Sequence, residues 1–270
     1  MADGVAFPDP VGRVRVLEDL EAVSRAAAGE VVARAAEAVG ARGRFTIALA
    51  GGHTPRRLYE LLGSEYRGAV RWDRVHVFWG DERCVPPDDA RSNVRLARQT
   101  LLEHVPVPAE AVHRVRCELD AEAAAAEYDR VLATFFGGAS PAAEPPAPES
   151  PATPASAVAF DLALLGLGAD GHTASLFPGQ VEPDDDRWAR AVLAPPDVEP
   201  RDRVTLTLRA LNASARAVFL VSGGEKRAVF ERVRRALDAR GTGAAEAPPA
   251  AMVRPVGGVL WLVDRAAAGP

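Results

Sequence analysis

Short apolar runs alternate along this chain with longer segments of helical periodicity, and this alternation limits the possible folds more than any other feature. The apolar runs are RVRVLED, RFTIALAGG, RVHVFWGDE, FDLALLGLG, ARAVFLVSG and GGVLWLVDRAAA. Strands that are apolar throughout and joined by helices form mainly parallel sheets that are covered on both faces. We therefore expect an α/β fold of the doubly wound, Rossmann-like class, with helices on both faces and right-handed crossovers.

The segments between the runs carry helix signals. Helical periodicity marks LEAVSRAAAGEVVARAAEAVGA, SNVRLARQTLLEHV, DAEAAAAEYDRVLATFFG and GEKRAVFERVRRALD. In TPRRLYELLG, we expect Thr54 to cap the helix and Pro55 to occupy its first position. Ser92 or Asn93 is the expected cap of the helix that begins near SNVRL.

One segment does not fit a packed layer. Residues 137–157, GGASPAAEPPAPESPATPASA, are rich in Pro, Ala and Ser and contain no large apolar residue, a composition typical of a disordered or extended insertion. A domain linker is the alternative, but the strand that follows needs neighbours from the first half of the chain. With 270 residues, 48% of them hydrophobic, we expect one domain over residues 1–270 with a disordered insertion at 137–157.

Composition and charge exclude several classes of partner. The net charge of -5 leaves no basic face for nucleic acid, although a local basic pocket for a small anion remains compatible with it. Two cysteines cannot build a disulfide framework, the first residues do not resemble a signal peptide, and no apolar run approaches the roughly 20 residues of a membrane span. We expect a soluble, cytoplasmic protein with neither a membrane nor a nucleic-acid partner.

Polar turns follow four of the predicted strands. They read GGHTP, GDERCVPPDD, GLGADGHTASLFPG and SGGEKR. In sheets of this class the carboxyl ends of parallel strands meet at one edge, and ligands bind there. The sequence therefore predicts a binding site made by these turns.

Three of the turns suit an anion. Backbone N–H groups and a helix start after GGHTP favour a phosphate, although such turns also occur without a ligand. Lys226 opens a helix, where a cation opposes the helix dipole, so it is either solvated or paired with an anion. Arg83 is suited to grip a phosphate or carboxylate in a bidentate manner, or it forms only a local ion cluster with Asp81 and Glu82.

The histidine of the DGH turn carries the strongest chemical signal. His172 follows Asp170 by two residues, so the carboxylate can orient the imidazole, and a neutral imidazole is a competent general base. By contrast, His76, His104 and His113 are expected to be satisfied surface or core residues. Neither His nor Cys recurs at metal-ligand spacing, and no serine lies in a nucleophile elbow. We expect no metal and no cofactor.

The motifs taken together resemble the 6-phosphogluconolactonases, within the superfamily of glucosamine-6-phosphate deaminase and ribose-5-phosphate isomerase. LAGGHTP, FWGDERCVPPDDARSN, FDLALLGLGADGHTASLFPG, LVSGGEKR and PVGGVLWLVDRAA occur in the order and approximate spacing of that family, from about residue 16 to 265. The combination is specific, whereas any single motif is not. The resemblance implies a doubly wound α/β fold and metal-independent hydrolysis of 6-phospho-D-glucono-1,5-lactone to 6-phospho-D-gluconate in the oxidative pentose phosphate pathway.

The resemblance also implies roles for individual residues. His172 is the expected catalytic base and Asp170 its neighbour in the site. The expected substrate- and phosphate-binding residues lie in the other turns: Gly51, Gly52, Thr54, Asp81, Arg83 and Lys226. The chain departs from the family at His53, where a small hydroxyl residue is common, and at the Pro-rich insertion.

Two other functions stay open at this stage. An aminosugar-phosphate deaminase/isomerase would call for an acidic residue soon after the DGH turn and an aromatic residue after Asp-Glu, where this chain has TASLFPG and Arg83. A noncatalytic sugar-phosphate sensor would use the same pocket. For the lactonase we expect a small phosphorylated sugar lactone as the partner and a monomer or weak homo-oligomer.

Overall fold

Nine strands and eight α-helices make up the computed structural model, which describes residues 13–118, 120–137, 159–239 and 247–269. The strands are β1 (Arg13–Leu17), β2 (Phe45–Leu49), β3 (Val75–Trp79), β4 (Asp81–Arg83), β5 (Leu162–Gly166), β6 (Ala189–Leu193), β7 (Asp202–Leu206), β8 (Ala217–Val221) and β9 (Val259–Asp264). The helices are α1 (Leu20–Arg42), α2 (His53–Gly63), α3 (Asn93–Thr100), α4 (Ala121–Phe136), α5 (Leu208–Asn212), α6 (Arg227–Asp238), α7 (Pro249–Met252) and α8 (Arg265–Ala268).

Six strands form a parallel sheet in the order β1-β9-β8-β5-β2-β3. These are the six apolar runs, so the predicted fold class is confirmed. Every residue of β2, β8 and β9 is buried, as expected for strands that are covered on both faces. Helix α1 packs against β2, β8 and β9.

The order in which strands are added to this sheet reverses between β2 and β5, although all of these strands run parallel. From β2 the chain proceeds outward to β3 at the edge, and it later returns to place β5 on the other side of β2, where Ile47 pairs with Leu162. A crevice opens at such a reversal, beyond the carboxyl ends of the strands. The turns after β2 and β5 therefore border the same crevice.

A second sheet of three antiparallel strands, β4-β7-β6, was not predicted. It begins directly after β3, because Gly80 accepts a backbone hydrogen bond from Leu206 at the end of β7 and so joins the two sheets. This small sheet carries Asp81, Arg83 and Arg203 in adjacent strands at the carboxyl edge of the parallel sheet.

The helix caps agree with expectation at one helix and disagree at another. Ser92 caps α3, with its Oγ accepting a hydrogen bond from the N–H of Arg95 at 3.1 Å. The cap predicted at Thr54 is wrong. Gly52 precedes α2 with a φ of 95°, a conformation that glycine adopts without strain, so the helix already begins at His53 and Thr54 lies inside it.

The buried hydrophobic residues of both sheets belong to one cluster. Of the insertion expected at 137–157, only Gly137 lies within the described residues, as the left-handed residue that ends α4; the rest lies outside them. None of the helices in the described ranges has the length and apolar character needed to cross a membrane.

Candidate active site

The turn after β5 holds His172 through a compact set of hydrogen bonds. Its backbone N–H donates to the carboxylate of Asp170 at 3.0 Å, and its Nδ1 lies 2.6 Å from the same Oδ1. Burial alone would raise the pKa of the Asp170 carboxyl group, but these hydrogen bonds outweigh burial and lower that pKa below its usual value. Asp170 is therefore a carboxylate that accepts from Nδ1–H, which leaves Nε2 of the ring as an acceptor.

The imidazole of His172 lies directly against Gly168. A Cβ built on Gly168 would come within 2.2 Å of the ring atoms Cε1 and Nδ1. The Phe177 ring packs on another side, with its centroid 4.8 Å from that of the imidazole. The side chain of His172 is 26% exposed, so the ring is held in place while one part of it faces solvent.

The turn is also tied to the small antiparallel sheet. Ser175 is fully buried, its Oγ donates to the carboxylate of Asp81 at 2.6 Å, and its N–H donates to Oγ1 of Thr205 at 3.1 Å. Ala174, one residue earlier, adopts a positive φ of 49°, which is uncommon for a residue with a side chain and is found where surrounding contacts enforce it. These contacts fix the path of the turn relative to β4 and β7.

The carboxylates that precede Arg83 have other partners. Glu82 is buried and accepts from the N–H groups of Asn93 and Val94, so it supports the start of α3; burial raises the pKa of its carboxyl group. Asp81 accepts from Ser175 and from Nδ2 of Asn93 at 3.1 Å. In the ranges that the structure describes, no ion pair joins Arg83 to either carboxylate, so the local ion cluster considered from the sequence does not form.

The guanidinium of Arg83 is only partly used. One terminal nitrogen donates to the carbonyl oxygen of Arg91 at 2.8 Å. Its Nε is buried and has no hydrogen-bond partner among the described residues. A buried N–H donor without an acceptor is costly. Arg83 lines the cleft beside His172, so its charged guanidinium faces a ligand that binds there.

The turns after β2 and β8 contribute the anion-binding features. At the start of α2, the N–H groups of Gly52, His53 and Thr54 have no acceptor among the described residues, as expected of the first turn of a helix. On the other side, the buried carboxylate of Asp264 accepts from the hydroxyl and N–H groups of Ser222 and Gly223, which fixes the turn that precedes Lys226.

Sequence reasoning missed two charged residues that line the cleft, Arg203 and Glu225. The Arg203 side chain is 6% exposed; its Nε donates to the carbonyl of Pro200 at 2.6 Å, and a terminal nitrogen lies 3.9 Å from Asp81. Burial lowers the pKa of this guanidinium, although an arginine stays charged. The only sequence signal was an arginine inside the run DRVTL, and its burial depends on the small sheet that was not predicted.

These elements enclose a cleft of about 610 Å³ at the carboxyl edge of the parallel sheet. Nearly all the residues predicted for the site line it: Gly51, Gly52, Thr54, Asp81, Arg83, His172 and Lys226. Asp170 does not line the cleft but holds His172 from behind. His53 and Arg203 line it as well. No group of three metal-ligating side chains stands together in the described part of the chain.

The other histidines lie outside the cleft. Nδ1 of His76 is 3.2 Å from Nε2 of His113, and both rings pack against Phe135. His104 makes a hydrogen bond with the carbonyl of Gln99 at 2.9 Å. All three are satisfied locally, as expected from the sequence.

Comparisons with known proteins agree on one family. The family model described as "Glucosamine-6-phosphate isomerases/6-phosphogluconolactonase" matches residues 18–261. A protein of Nostoc sp. named 6-phosphogluconolactonase is 36% identical over 255 residues, which cover 94% of this chain and 96% of that protein. The structure is similar to those of 6-phosphogluconolactonases from Thermotoga maritima (TM-score 0.74, 30% identity, 93% and 98% of the two chains) and Trypanosoma cruzi (TM-score 0.78, 28% identity, 99% and 98%).

Proposed function

This chain belongs to the glucosamine-6-phosphate isomerase/6-phosphogluconolactonase family, and we propose how its cleft carries out the lactonase reaction of that family. The chain hydrolyses 6-phospho-D-glucono-1,5-lactone to 6-phospho-D-gluconate, a step of the oxidative pentose phosphate pathway, as its relatives named 6-phosphogluconolactonase do. The observation that carries the mechanism is the hydrogen bond between His172 and Asp170 at the wall of the cleft.

His172 is the general base. With Nδ1–H donating to Asp170, its Nε2 takes a proton from a water molecule as the water attacks the lactone carbonyl carbon. The tetrahedral intermediate then collapses, the bond from the carbonyl carbon to the ring oxygen breaks, and the imidazolium returns its proton to that oxygen. A lactone is an activated ester, so a base, an oxyanion partner and correct positioning suffice without a covalent nucleophile.

The phosphate group binds between the turn at the start of α2 and Lys226. The free N–H groups of Gly52, His53 and Thr54, next to Gly51, donate to phosphate oxygens at the positive end of the helix. Lys226 supplies a full charge, lines the same cleft, and is the only lysine of the chain. A chain that uses arginine almost everywhere else keeps a compact, mobile ammonium group here.

The two arginines stabilise charge near the reacting carbonyl. The guanidinium of Arg83, which lines the cleft, is a donor for the oxyanion or a substrate hydroxyl group. Arg203 adds positive potential from a buried position, where it is screened little by solvent. Asp81 lies on the cleft wall, where it binds the substrate. Its hydrogen bonds with Ser175 and Asn93 also hold the turn of His172 against β4.

The sequence favours the lactonase over the aminosugar branch of the same family. Arg83 stands where that branch would call for an aromatic residue, and a cation there suits an oxyanion that forms during hydrolysis. The combination of a base, a carboxylate behind it and an anion site also favours an enzyme over a noncatalytic sugar-phosphate sensor.

We further propose that residues 1–270 form one domain, which the single hydrophobic cluster supports. We propose a monomer or weak homo-oligomer. We also propose a cytoplasmic location, because a charged phosphate ester does not cross membranes freely.

The only lysine makes the phosphate assignment directly testable. We expect Lys226→Ala to raise the KM for the phosphorylated lactone by about 10- to 100-fold, since a charge-assisted contact is worth about 1.5–3 kcal/mol, and to leave hydrolysis of unphosphorylated gluconolactone nearly unchanged. The lactone is generated in place at low pH, where its spontaneous opening is slow. Arg234→Ala, on the exposed face of α6, is the matched control.

Chemical protection provides a second measurement. An amine-acylating reagent can modify only Lys226 and the terminal amino group, so peptide mapping separates the two. We expect 6-phosphogluconate to protect Lys226 and gluconate not to protect it, with the terminal amine as internal control. Equal loss of activity on both lactones in Lys226→Ala, or no protection by the phosphorylated product, would contradict the phosphate assignment; absence of any enzyme-dependent hydrolysis would contradict the function itself.

A further inference from the structure

The two cysteines of the chain lie side by side outside the active-site cleft. Cys84 directly follows β4 and Cys117 precedes α4, yet their Sγ atoms are only 3.1 Å apart. Both are free thiols and both are partly exposed. Side chains 33 residues apart in sequence are thus placed in direct sulfur contact by the tertiary structure.

A second cleft gives solvent access to this pair. It has a volume of about 540 Å³ and is lined by both cysteines together with residues of α4, β6 and β7. It shares no lining residue with the active-site cleft. A small oxidant can therefore reach the sulfur atoms without passing through the substrate site.

The two thiols have different acidities. The hydrogen bond with Cys117 lowers the pKa of the Cys84 thiol, whereas the same hydrogen bond, burial and the negative charge on Cys84 raise the pKa of Cys117. The thiolate is the reactive form of cysteine. The 3.1 Å contact and the shared cleft pair the two sulfur atoms, and the lower pKa of Cys84 favours it as the sulfur that attacks first, with Cys117 as the resolving thiol.

We propose that Cys84 and Cys117 form a reversible oxidative modification site, at which hydrogen peroxide converts the two thiols into one intramolecular disulfide. The Cys84 thiolate attacks a peroxide oxygen, the O–O bond breaks, and the leaving hydroxide takes up a proton to form water. Cys84 is now a sulfenic acid; the Cys117 sulfur attacks it, and a second water leaves with the hydroxyl oxygen and the thiol proton. The peroxide is reduced, the two thiols are oxidised, and an added thiol reverses the change by exchange.

The disulfide joins β4 to the segment before α4 and closes a loop that contains α3. A bonded S–S distance is about 2.05 Å, so the sulfur atoms need to approach by only about 1 Å. Arg83 is anchored to Arg91 inside the same loop, and it keeps that contact. We therefore expect the oxidised protein to unfold at a Tm roughly 5 °C or more higher and to retain most of its lactonase kcat/KM, because the contact between Arg83 and Arg91 is kept.

The test is a titration of the full chain with hydrogen peroxide. We expect the intact mass to fall by two hydrogen atoms, both thiols to become unreactive toward a thiol reagent in denaturant, and a nonreducing digest to contain a peptide pair joining Cys84 to Cys117. Dithiothreitol should restore the mass, the thiols and the original Tm. Addition of oxygen atoms with no loss of hydrogen, or disulfide-linked dimers in place of the internal bond, would overturn the proposal.

Single variants separate the roles of the two sulfur atoms. In Cys117→Ser, Cys84 should still react with peroxide and gain one oxygen, which a sulfenic-acid probe traps, but the Tm should not rise. In Cys84→Ser, Cys117 should react much more slowly. Equal rates in the two variants would refute the assignment of Cys84 as the attacking sulfur, and the wild-type mass measurement stands whether or not either variant folds.

Discussion

The turn after β5 and the outer flank of β3 both hold histidines, but they differ in what surrounds the rings. His172 bonds to a carboxylate and borders a cleft. On β3, His76 and His113 contact each other and pack among phenylalanines, in a cluster we call the aromatic flank: His76, Phe78, His113, Phe135 and Phe136. The same side chain is placed to accept a proton in one region and to fill space in the other.

The two regions also differ in the charged groups that surround the rings. In the aromatic flank, burial lowers the pKa of His76, and burial together with the neighbouring His76 lowers the pKa of His113 to about 4. No carboxylate contacts either ring within the described residues. Next to His172, the Asp170 carboxylate accepts from Nδ1 and will stabilise the imidazolium that forms when Nε2 takes up a proton. A histidine can act as a base when a carboxylate holds one ring nitrogen and the other is free to take up a proton. Burial among aromatic rings disfavours the protonated form and so disfavours this role.

The largest effect that separates the regions is expected from replacing each histidine by asparagine. His172→Asn removes the base and should lower kcat by about 10²–10⁴-fold while leaving the Tm nearly unchanged. His113→Asn should leave kcat nearly unchanged but cost about 1–2 kcal/mol of unfolding free energy, because its ring stacks on Phe78 with centroids 4.4 Å apart. Steady-state kinetics and thermal melts of both variants check this; a folded His172→Asn enzyme with wild-type turnover would remove the base from the mechanism.

A smaller effect tests whether the position of the His172 ring matters as well as its presence. Gly168→Ala would place a Cβ within 2.2 Å of the imidazole and should lower kcat by about 10- to 100-fold through misplacement of the base. Gly166→Ala is the matched control, because Gly166 lines the same cleft and a Cβ there meets no atom within 4 Å. Equal kcat values for the two variants would mean that the ring can work from more than one position.

The sequence was informative about the parallel sheet and about the turns after its strands. Strands buried on both faces are apolar throughout, so β2, β5, β8 and β9 stand out from the segments around them, and the carboxyl ends of parallel strands must meet at one edge. That rule alone brought the glycine turn, Arg83, His172 and Lys226 together. Their candidate roles, a base at His172 and anion binding at the other positions, followed from the residue types, and the family resemblance supplied the substrate.

The small antiparallel sheet was out of reach for a physical reason. Strand β4 is the three-residue polar run DER, and β7 places Arg203 at a buried position, so neither has the pattern of a buried strand. The partners that determine these positions are set by tertiary structure: Asp81 of β4 accepts from Ser175, which is 94 residues away, and lies near Arg203 of β7. The start of α2 was misplaced because the positive φ of Gly52 cannot be read from the residue type alone.

The third expected effect is a dependence of stability on pH that belongs to the aromatic flank. Because folding lowers the pKa of His76 and of His113, the unfolded chain binds more protons as the pH falls below the unfolded value of about 6.5. Their contribution to stability is fully present above that pH and is lost as the pH falls toward 4. Each histidine can contribute a slope of at most about 1.4 kcal/mol per pH unit, less where it is partly exposed.

Urea unfolding at several pH values measures this slope. The double variant His76→Asn/His113→Asn should be less stable at pH 7.5 and should lose stability less steeply between pH 6.5 and 4. The positive charge of Arg44 also lowers the pKa of His76. His172→Asn serves as the comparison, and an unchanged slope in the double variant would show that acid sensitivity arises elsewhere.

The smallest effect is expected from the Pro-rich insertion, and it depends on which of the two regions the insertion joins. The described residues that flank it are Gly137, next to Phe136, and Ala159, next to Phe160, and the Phe136 and Phe160 rings pack with centroids 4.9 Å apart. Both ends thus lie at the aromatic flank and at the amino end of β5, whereas the cleft lies at the carboxyl end. Replacing residues 139–156 by a short Gly-Ser connection should therefore keep kcat/KM within a few-fold. The Tm should change little, because halving a loop alters its closure free energy by only about 0.6 kcal/mol. A large loss of activity in a folded variant would mean that the insertion reaches the cleft, and the separation of the two regions would then fail.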